Sequence, residues 1–178
     1  MTTRREALLN LAEPLLEELG PDAFGLGVLA RAANIKTPSL YKHFSSAADL
    51  EHALISRGFT CLAEAFTEAA LEGETPLARF ARLYRHWAHE RPALYQLMMS
   101  RPLDHDLLED GVEEQAMSAI LAYFGESTSE HPKARVAWAA AHGLVALELA
   151  GRFTPGANLD ETWIALTEML ENTSNRGS

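Results

Sequence analysis

The sequence is short of cysteine, of net positive charge and of long apolar runs, and each shortage removes a class of protein. Cys61 is the single cysteine among 178 residues. No disulfide can form within the chain, and a reducing setting is expected. Lysine and arginine number 15 against 25 aspartates and glutamates, a net charge of −10. Such a surface does not coat nucleic acid or anionic membrane along its whole extent. The N-terminal "MTTRREALLNLAEPLL" lacks the unbroken apolar run and small-residue cleavage site of a signal peptide. The most apolar stretch, "VAWAAAHGLVALELAG" at residues 136–151, is too short to span a bilayer comfortably and carries His142 and Glu148. A soluble cytoplasmic protein without a membrane partner is expected. Apolar residues still make up 47% of the chain, enough to bury a core.

Strand signals are missing as well. Apolar residues recur at helical spacing almost throughout, and β-branched residues are sparse. Leu8, Leu11, Ala12, Leu15, Leu16 and Leu19 form one stripe, closed by Gly20-Pro21. Further helices are predicted over about 26–33, 37–44, 46–71, 77–89, 92–99, 106–124, 132–153 and 159–171. The expected fold is all-α, with about nine helices.

Charge is unevenly spread. Residues 1–45 carry five basic and five acidic side chains, while the excess negative charge lies entirely in 46–178. Within the neutral segment, "GLGVLARAANIKTPSLYKHF" has helix-turn-helix spacing. Ala30 is small enough for a second helix to pass closely. Asn34 tolerates the left-handed backbone of a tight turn. Ile35 and Leu40 point to the core. Thr37 before Pro38 reads as a cap followed by a proline whose missing N–H costs nothing in a first turn. A short second helix of this kind lies in the major groove, led by its N-terminal residues. Pro38 and Ser39 then face base edges, and Tyr41, Lys42 and His43 face phosphates. Lys36, Thr37, Arg4 and Arg5 complete the candidate DNA-binding set. For each there is a plainer reading: Thr37 as a cap, Tyr41 as cover for the domain junction, and the lysine and arginines as solvated surface.

The segment "LLNLAEPLLEELGPDAFGLGVLARAANIKTPSLYKHFSSAADL", with its "LYKHF" signature and "LARAANI", resembles the N-terminal domain of the tetracycline-repressor (TetR) family. "WAAAHGLVALELAGRF" is similar to the C-terminal domain of a branch with a Trp…His-Gly motif. The resemblance implies an all-helical homodimer that binds double-stranded operator DNA and is released by a small molecule. It implies a DNA-binding domain over 1–45 and a ligand-binding and dimerisation domain over 46–178. The chain departs from the family at Gly25 and Gly27, where a hydroxyl cap and often a basic residue stand, and at Ala47, where lysine is usual. Each departure removes a phosphate contact.

The eighth helix is apolar around nearly its whole circumference, and its Ala139–Ala141 run and Gly143 invite close approach by another helix. Either it is buried centrally in a monomer or, as the resemblance implies, it joins the ninth helix in a dimer seam. Tyr84, Trp87, Tyr95, Met98, Met99, Met117, Trp138 and His142 form a candidate lining for a mainly apolar effector between the fifth, seventh and eighth helices. Those same side chains equally suit a filled core. Trp138 and His142 share a helix face. His86 and His89 alone make no metal set, and no metal or cofactor is expected.

The leading reading is a ligand-responsive repressor. The alternative is a helical small-molecule-binding dimer whose DNA binding is weakened or lost, motivated by Gly25, Gly27 and Ala47. An enzyme using His86, His89, Asp104, His105 or Asp106 ranks last, because the sequence has no phosphate loop, nucleophile elbow or complete metal set.

Overall fold

The computed structural model describes residues 3–124 and 132–175, with side chains as far as 172. Its described residues contain nine α-helices and no strand: α1 (Arg4–Leu19), α2 (Leu26–Ala32), α3 (Thr37–Leu40), α4 (Ala47–Ala65), α5 (Pro76–Glu90), α6 (Pro92–Ser100), α7 (Val112–Leu121), α8 (Pro132–Leu149) and α9 (Leu159–Asn175). None is long and apolar enough to cross a membrane. The chain forms two compact units. One joins residues 1–61 to 91–113, and the other joins 62–90 to 114–178.

In the first unit, α1 opens with a capping box. The Glu6 amide donates to Thr3 Oγ1 at 3.2 Å, and the Thr3 amide donates to the Glu6 carboxylate at 2.6 Å. It closes at Gly20, whose φ of +76° suits glycine, and Pro21 follows. Leu8, Leu9, Ala12 and Leu16 are buried, and α1 packs on α2 and α6. Of the expected stripe Leu8, Ala12 and Leu16 are buried and Leu11 and Leu15 half-buried; Leu9 joins it, and Leu19 is exposed. The Glu17 carboxylate accepts the Ala93 and Leu94 amides at 3.0 and 2.9 Å. Those first-turn donors of α6 have no partner within their own helix.

Helix α4 buries Leu50, Ala53 and Leu54. At Gly58 it comes so close to α6 that an added Cβ would clash with Met98 Sδ. The chain after α6 is pinned to α4. Arg101 pairs with Glu51 at 2.7 Å, the Asp104 amide donates to His52 Nε2 at 3.1 Å, and the Glu109 amide donates to Ser56 Oγ at 3.0 Å. The helix predicted over 106–124 is therefore divided. A 3-10 turn spans His105–Leu107, and α7 starts only at Val112, after Gly111 at φ +78°. The helix predicted to reach residue 71 ends at Ala65, and residues 67–73 beyond it are exposed.

In the second unit, α5 turns Phe80, Ala81, Leu83, Tyr84, Trp87 and Ala88 inward. It packs against α8, which buries Ala134, Ala137, Ala141 and Val145, and against α9, which buries Trp163 and Thr167. Phe66, Phe80, Tyr84, Tyr123 and Phe124 form a chain of aromatic contacts with centroids 5.3–5.9 Å apart. The Tyr123 hydroxyl is satisfied by the Phe66 carbonyl at 2.6 Å. The opposite side of α8 carries Val136, Ala140, Gly143 and Leu147 at helical spacing. Val136 is 62% and Leu147 46% exposed, and a Cβ at Gly143 would meet nothing within 4 Å.

Candidate functional site

The turn between α2 and α3 is built from local backbone chemistry. Asn34 has φ +52°, the one left-handed non-glycine residue among those described. The Ile35 amide donates to the Ala30 carbonyl at 3.0 Å, which folds the chain back on α2. Leu40 and Phe44 are fully buried, and Ile35 is half-buried. The second helix therefore sits with its apolar side on the core and its polar side outward.

Two local expectations are corrected. Thr37 is not the cap. The Ser39 amide donates to the Lys36 carbonyl at 2.8 Å, so Lys36, with extended φ and ψ, occupies the cap position, and Thr37 and Pro38 are its first two helical residues. Regular α-helix ends at Leu40 instead of 44, and a turn carries the chain on, with the His43 and Phe44 amides both bonded to the Leu40 carbonyl.

The outward face carries Lys36, Pro38, Tyr41 and Lys42, all exposed, with Thr37, Ser39 and His43 at intermediate depth. Tyr41 is 54% exposed. Among the described residues, neither lysine makes an ion pair. Arg4 is exposed at the start of α1.

Arg5 stands apart from this set. Its guanidinium lies 4.6 Å from the Phe44 ring centroid, donates to the His43 carbonyl, and pairs with Asp49 at 3.0 Å. Asp49 also accepts the Ser45 amide at 2.7 Å and the Ser45 hydroxyl at 3.1 Å, while its own amide donates to Ser46 Oγ. Burial pushes the Asp49 carboxyl up. The Ser45 amide, with the Arg5 and Ser45 side chains, outweighs burial and holds it below the usual carboxylate range. An acidic Asp49 in the first turn of α4 was readable from its place three residues after Ser46; its link to Arg5, 44 residues away, was not.

The eight residues proposed to line an effector pocket fall in different places. Tyr95, Met98 and Met99 belong to the first unit; the first two are buried, and Met98 fills the space over Gly58. Tyr84 and Trp87 are fully buried in the second unit. Met117 and Trp138 are exposed there, and His142 is half-buried with its ring 6.3 Å from Trp138. A surface groove of about 530 Å³ lies among α5, α8 and α9, and none of the eight lines it. Arg82, Arg85, His86, His89, Glu148 and Asp160 give it a charged wall. These charges pair with one another or with neighbours: Arg85 with Glu148 and Asp160 at 2.6 Å each, Arg82 with Glu74 at 2.7 Å, His86 with Glu90 at 3.3 Å. The Arg82 guanidinium, in turn, holds the Glu74 carboxyl below its ordinary range. No metal-binding cluster occurs among the described residues.

Two family profiles cover most of the chain. The profile of bacterial regulatory proteins of the tetR family matches residues 8–54, and that of the tetracyclin repressor-like C-terminal domain matches 77–170. An uncharacterised HTH-type transcriptional regulator of Mycobacterium tuberculosis is 27% identical over 154 residues, covering 83% of this chain and 71% of its own. Another, YobS of Bacillus subtilis, is 23% identical over 135 residues, covering 71% and 70%. A solved structure from Rhodococcus with no stated function superposes with a TM-score of 0.71 at 28% identity, covering 96% of this chain and 94% of that one. A TetR variant of Acinetobacter baumannii in complex with minocycline shares the fold, with a TM-score of 0.65 at 17% identity and 100% and 99% coverage. With both profiles matched in order along one all-helical chain, the protein belongs to the TetR family of helix-turn-helix transcriptional regulators.

Proposed function

We propose that this chain is a cytoplasmic repressor that binds operator DNA as a homodimer and is released by a mainly apolar small molecule. The observation that carries the reading is the polar face after the Asn34 turn, where exposed Lys36, Tyr41 and Lys42 stand without ion-pair partners on a buried base of Leu40 and Phe44. In this reading residues 1–45 supply the DNA-binding domain, and 46–178 supply the effector and dimer functions. Pro38 and Ser39 meet base edges. Lys36, Thr37, Tyr41, Lys42, His43 and Arg4 serve the backbone.

An electrophoretic shift with the DNA upstream of the protein's own gene tests this. Lys42→Ala is expected to weaken binding to all duplexes alike and to make the log–log salt slope shallower by about 0.9, the value for one lost phosphate contact. Equal affinity at every salt concentration would remove Lys42 from the interface. No shift by the wild type would favour the alternative, a dimer whose DNA binding is lost, for which Gly25, Gly27 and Ala47 are the supporting departures.

The dimer reading is supported by the outer stripe of α8 and by Ile164 and Met169 of α9, 56% and 69% exposed. Patches of this kind on a regulator suit an isologous two-fold seam. Light scattering is expected to give twice the chain mass at micromolar concentration. Because Gly143 faces open space within its own chain, a Gly143→Leu change should leave the protomer folded and act on the seam alone. Overpacking there costs about 1–3 kcal/mol, so the dimer dissociation constant should rise by about fivefold to a hundredfold or more. An unchanged constant would move the seam elsewhere.

The effector's apolar character rests on Trp138, His142 and Met117, which remain accessible in the second unit. Tyr84 and Trp87 are core in this form, and on this reading they meet an effector only if the packing opens.

A further inference from the structure

Arg5 sits where a basic residue at the start of α1 would be expected to reach a phosphate, yet its guanidinium is turned onto the protein. We propose that Arg5 is a positioning residue of the DNA interface: it locks the end of the recognition turn to the first turn of α4 and makes no direct contact with the duplex. The inference rests on the DNA-binding reading above and assigns one of its residues a different role.

The geometry is that of a three-way joint. Arg5 belongs to α1, the His43 carbonyl and the Phe44 ring belong to the end of the recognition turn, and Asp49 belongs to the first turn of α4. Asp49 in turn holds both polar groups of Ser45, the residue that follows Phe44. The guanidinium is planar and presents several donors in a fixed fork, so it can serve a carbonyl and a carboxylate at once while lying over an aromatic face. An ammonium is a single point charge and cannot reproduce that arrangement. The regular α-helix around Leu40 is only four residues long. So short a helix has little stability of its own, and its orientation is set by what its two ends are tied to. The Asn34 turn ties the first end, and the Arg5 joint ties the second.

Charge gives the test its discriminating power. Asp49 is acidic, and removing an acidic group near a DNA interface strengthens binding if electrostatics alone decide. If Asp49 matters as the anchor of Arg5, its removal weakens binding instead. The variants are Arg5→Ala, Arg5→Lys, Asp49→Asn and the Arg5→Ala/Asp49→Asn double. Each is measured against a duplex that the wild-type protein enriches from a random-sequence pool, over a range of salt. Denaturation midpoints of all four are recorded, so that only variants folded at the assay temperature are compared.

Both Arg5→Ala and Asp49→Asn should lose affinity by on the order of tenfold, and the double should lose no more than the worse single, as expected of residues acting as one unit. Arg5→Lys should lose nearly as much as Arg5→Ala although it keeps the charge. The salt slope should be unchanged in all four. A shallower slope for Arg5→Ala, with affinity retained by Arg5→Lys and raised by Asp49→Asn, would overturn the proposal in favour of a phosphate contact. Should the wild type enrich no duplex, it is the DNA reading that fails. Amide exchange at Ser45, whose N–H is held by Asp49, then reads the joint by itself. Faster exchange in Arg5→Ala supports it, and unchanged exchange overturns it.

Discussion

Replacing Phe44 by alanine is expected to lower the unfolding free energy by about 3–5 kcal/mol, the range for emptying a buried aromatic site. Phe44 is fully buried. Its amide closes the recognition turn on the Leu40 carbonyl at 2.9 Å, and its ring carries Arg5 at 4.6 Å. Truncation removes the packing and the aromatic face together, leaving a cavity between the turn and α1. A domain of ordinary stability has only about 5–15 kcal/mol in hand, so the loss should lower the thermal midpoint by roughly 10 °C in a chain of this size. Phe44→Leu separates the two contributions. Leucine refills most of the volume and should cost less than about 1.5 kcal/mol if the core repacks, yet it offers Arg5 no ring. Urea denaturation of the two variants checks the ordering. An alanine variant within about 0.5 kcal/mol of the wild type would show that the recognition turn does not depend on this side chain.

What was legible in the sequence was local. The Asn34 turn, the stop at Gly20-Pro21 and the burial of Leu40 follow from one residue's backbone preference or from spacing within one or two turns, and each is found. What was not legible depends on partners far along the chain. The polar stretch 106–111 was read as the start of a long helix, because a periodic apolar pattern follows it. The Asp104 amide just before it is in fact taken by His52 and the Glu109 amide within it by Ser56, each more than 50 residues earlier. Arg5 was read as a DNA contact or as solvated surface for the same reason: its partners at 43, 44 and 49 are brought to it only by the packing of α1. The candidate effector set is a different case. Aromatic and methionine side chains look alike whether they line a cavity or fill a core, and the fold distributes them over two units, with Met98 used to cover Gly58. Exposed apolar residues on α8 show the opposite case. Spacing announces an apolar face on every side of that helix, and only the coordinates reveal which side the chain itself leaves open.

The second unit offers a test of comparable size at Glu148. Its carboxylate is 9% exposed and receives Arg85 Nε at 3.1 Å and Nη2 at 2.6 Å, with Trp163 Nε1 at 3.1 Å and His89 Nε2 at 3.4 Å. Burial by itself would raise its pKa. The Arg85 and Trp163 donors outweigh burial, and the group lies below its ordinary value. A carboxylate depressed in the folded state contributes stability that is present above its unfolded pKa of about 4.3 and lost as pH falls through the folded value. Arg85→Ala reverses this. It leaves a buried carboxylate with only the indole and imidazole as partners, burial then prevails, and the folded pKa moves above the unfolded one. The variant should therefore lose about 3 kcal/mol near neutral pH, at the low end for breaking a buried pair because the arginine side chain is a quarter exposed. That loss should shrink on acidification, since protonating Glu148 relieves the unpaired charge while the wild type loses its own ion pair. Adding Glu148→Gln to Arg85→Ala should recover much of the neutral-pH loss for the same reason. Urea denaturation at about pH 7 and about pH 4.5 distinguishes this from simple loss of packing by the arginine stem, which would give the same deficit at both pH values and no recovery in the double variant.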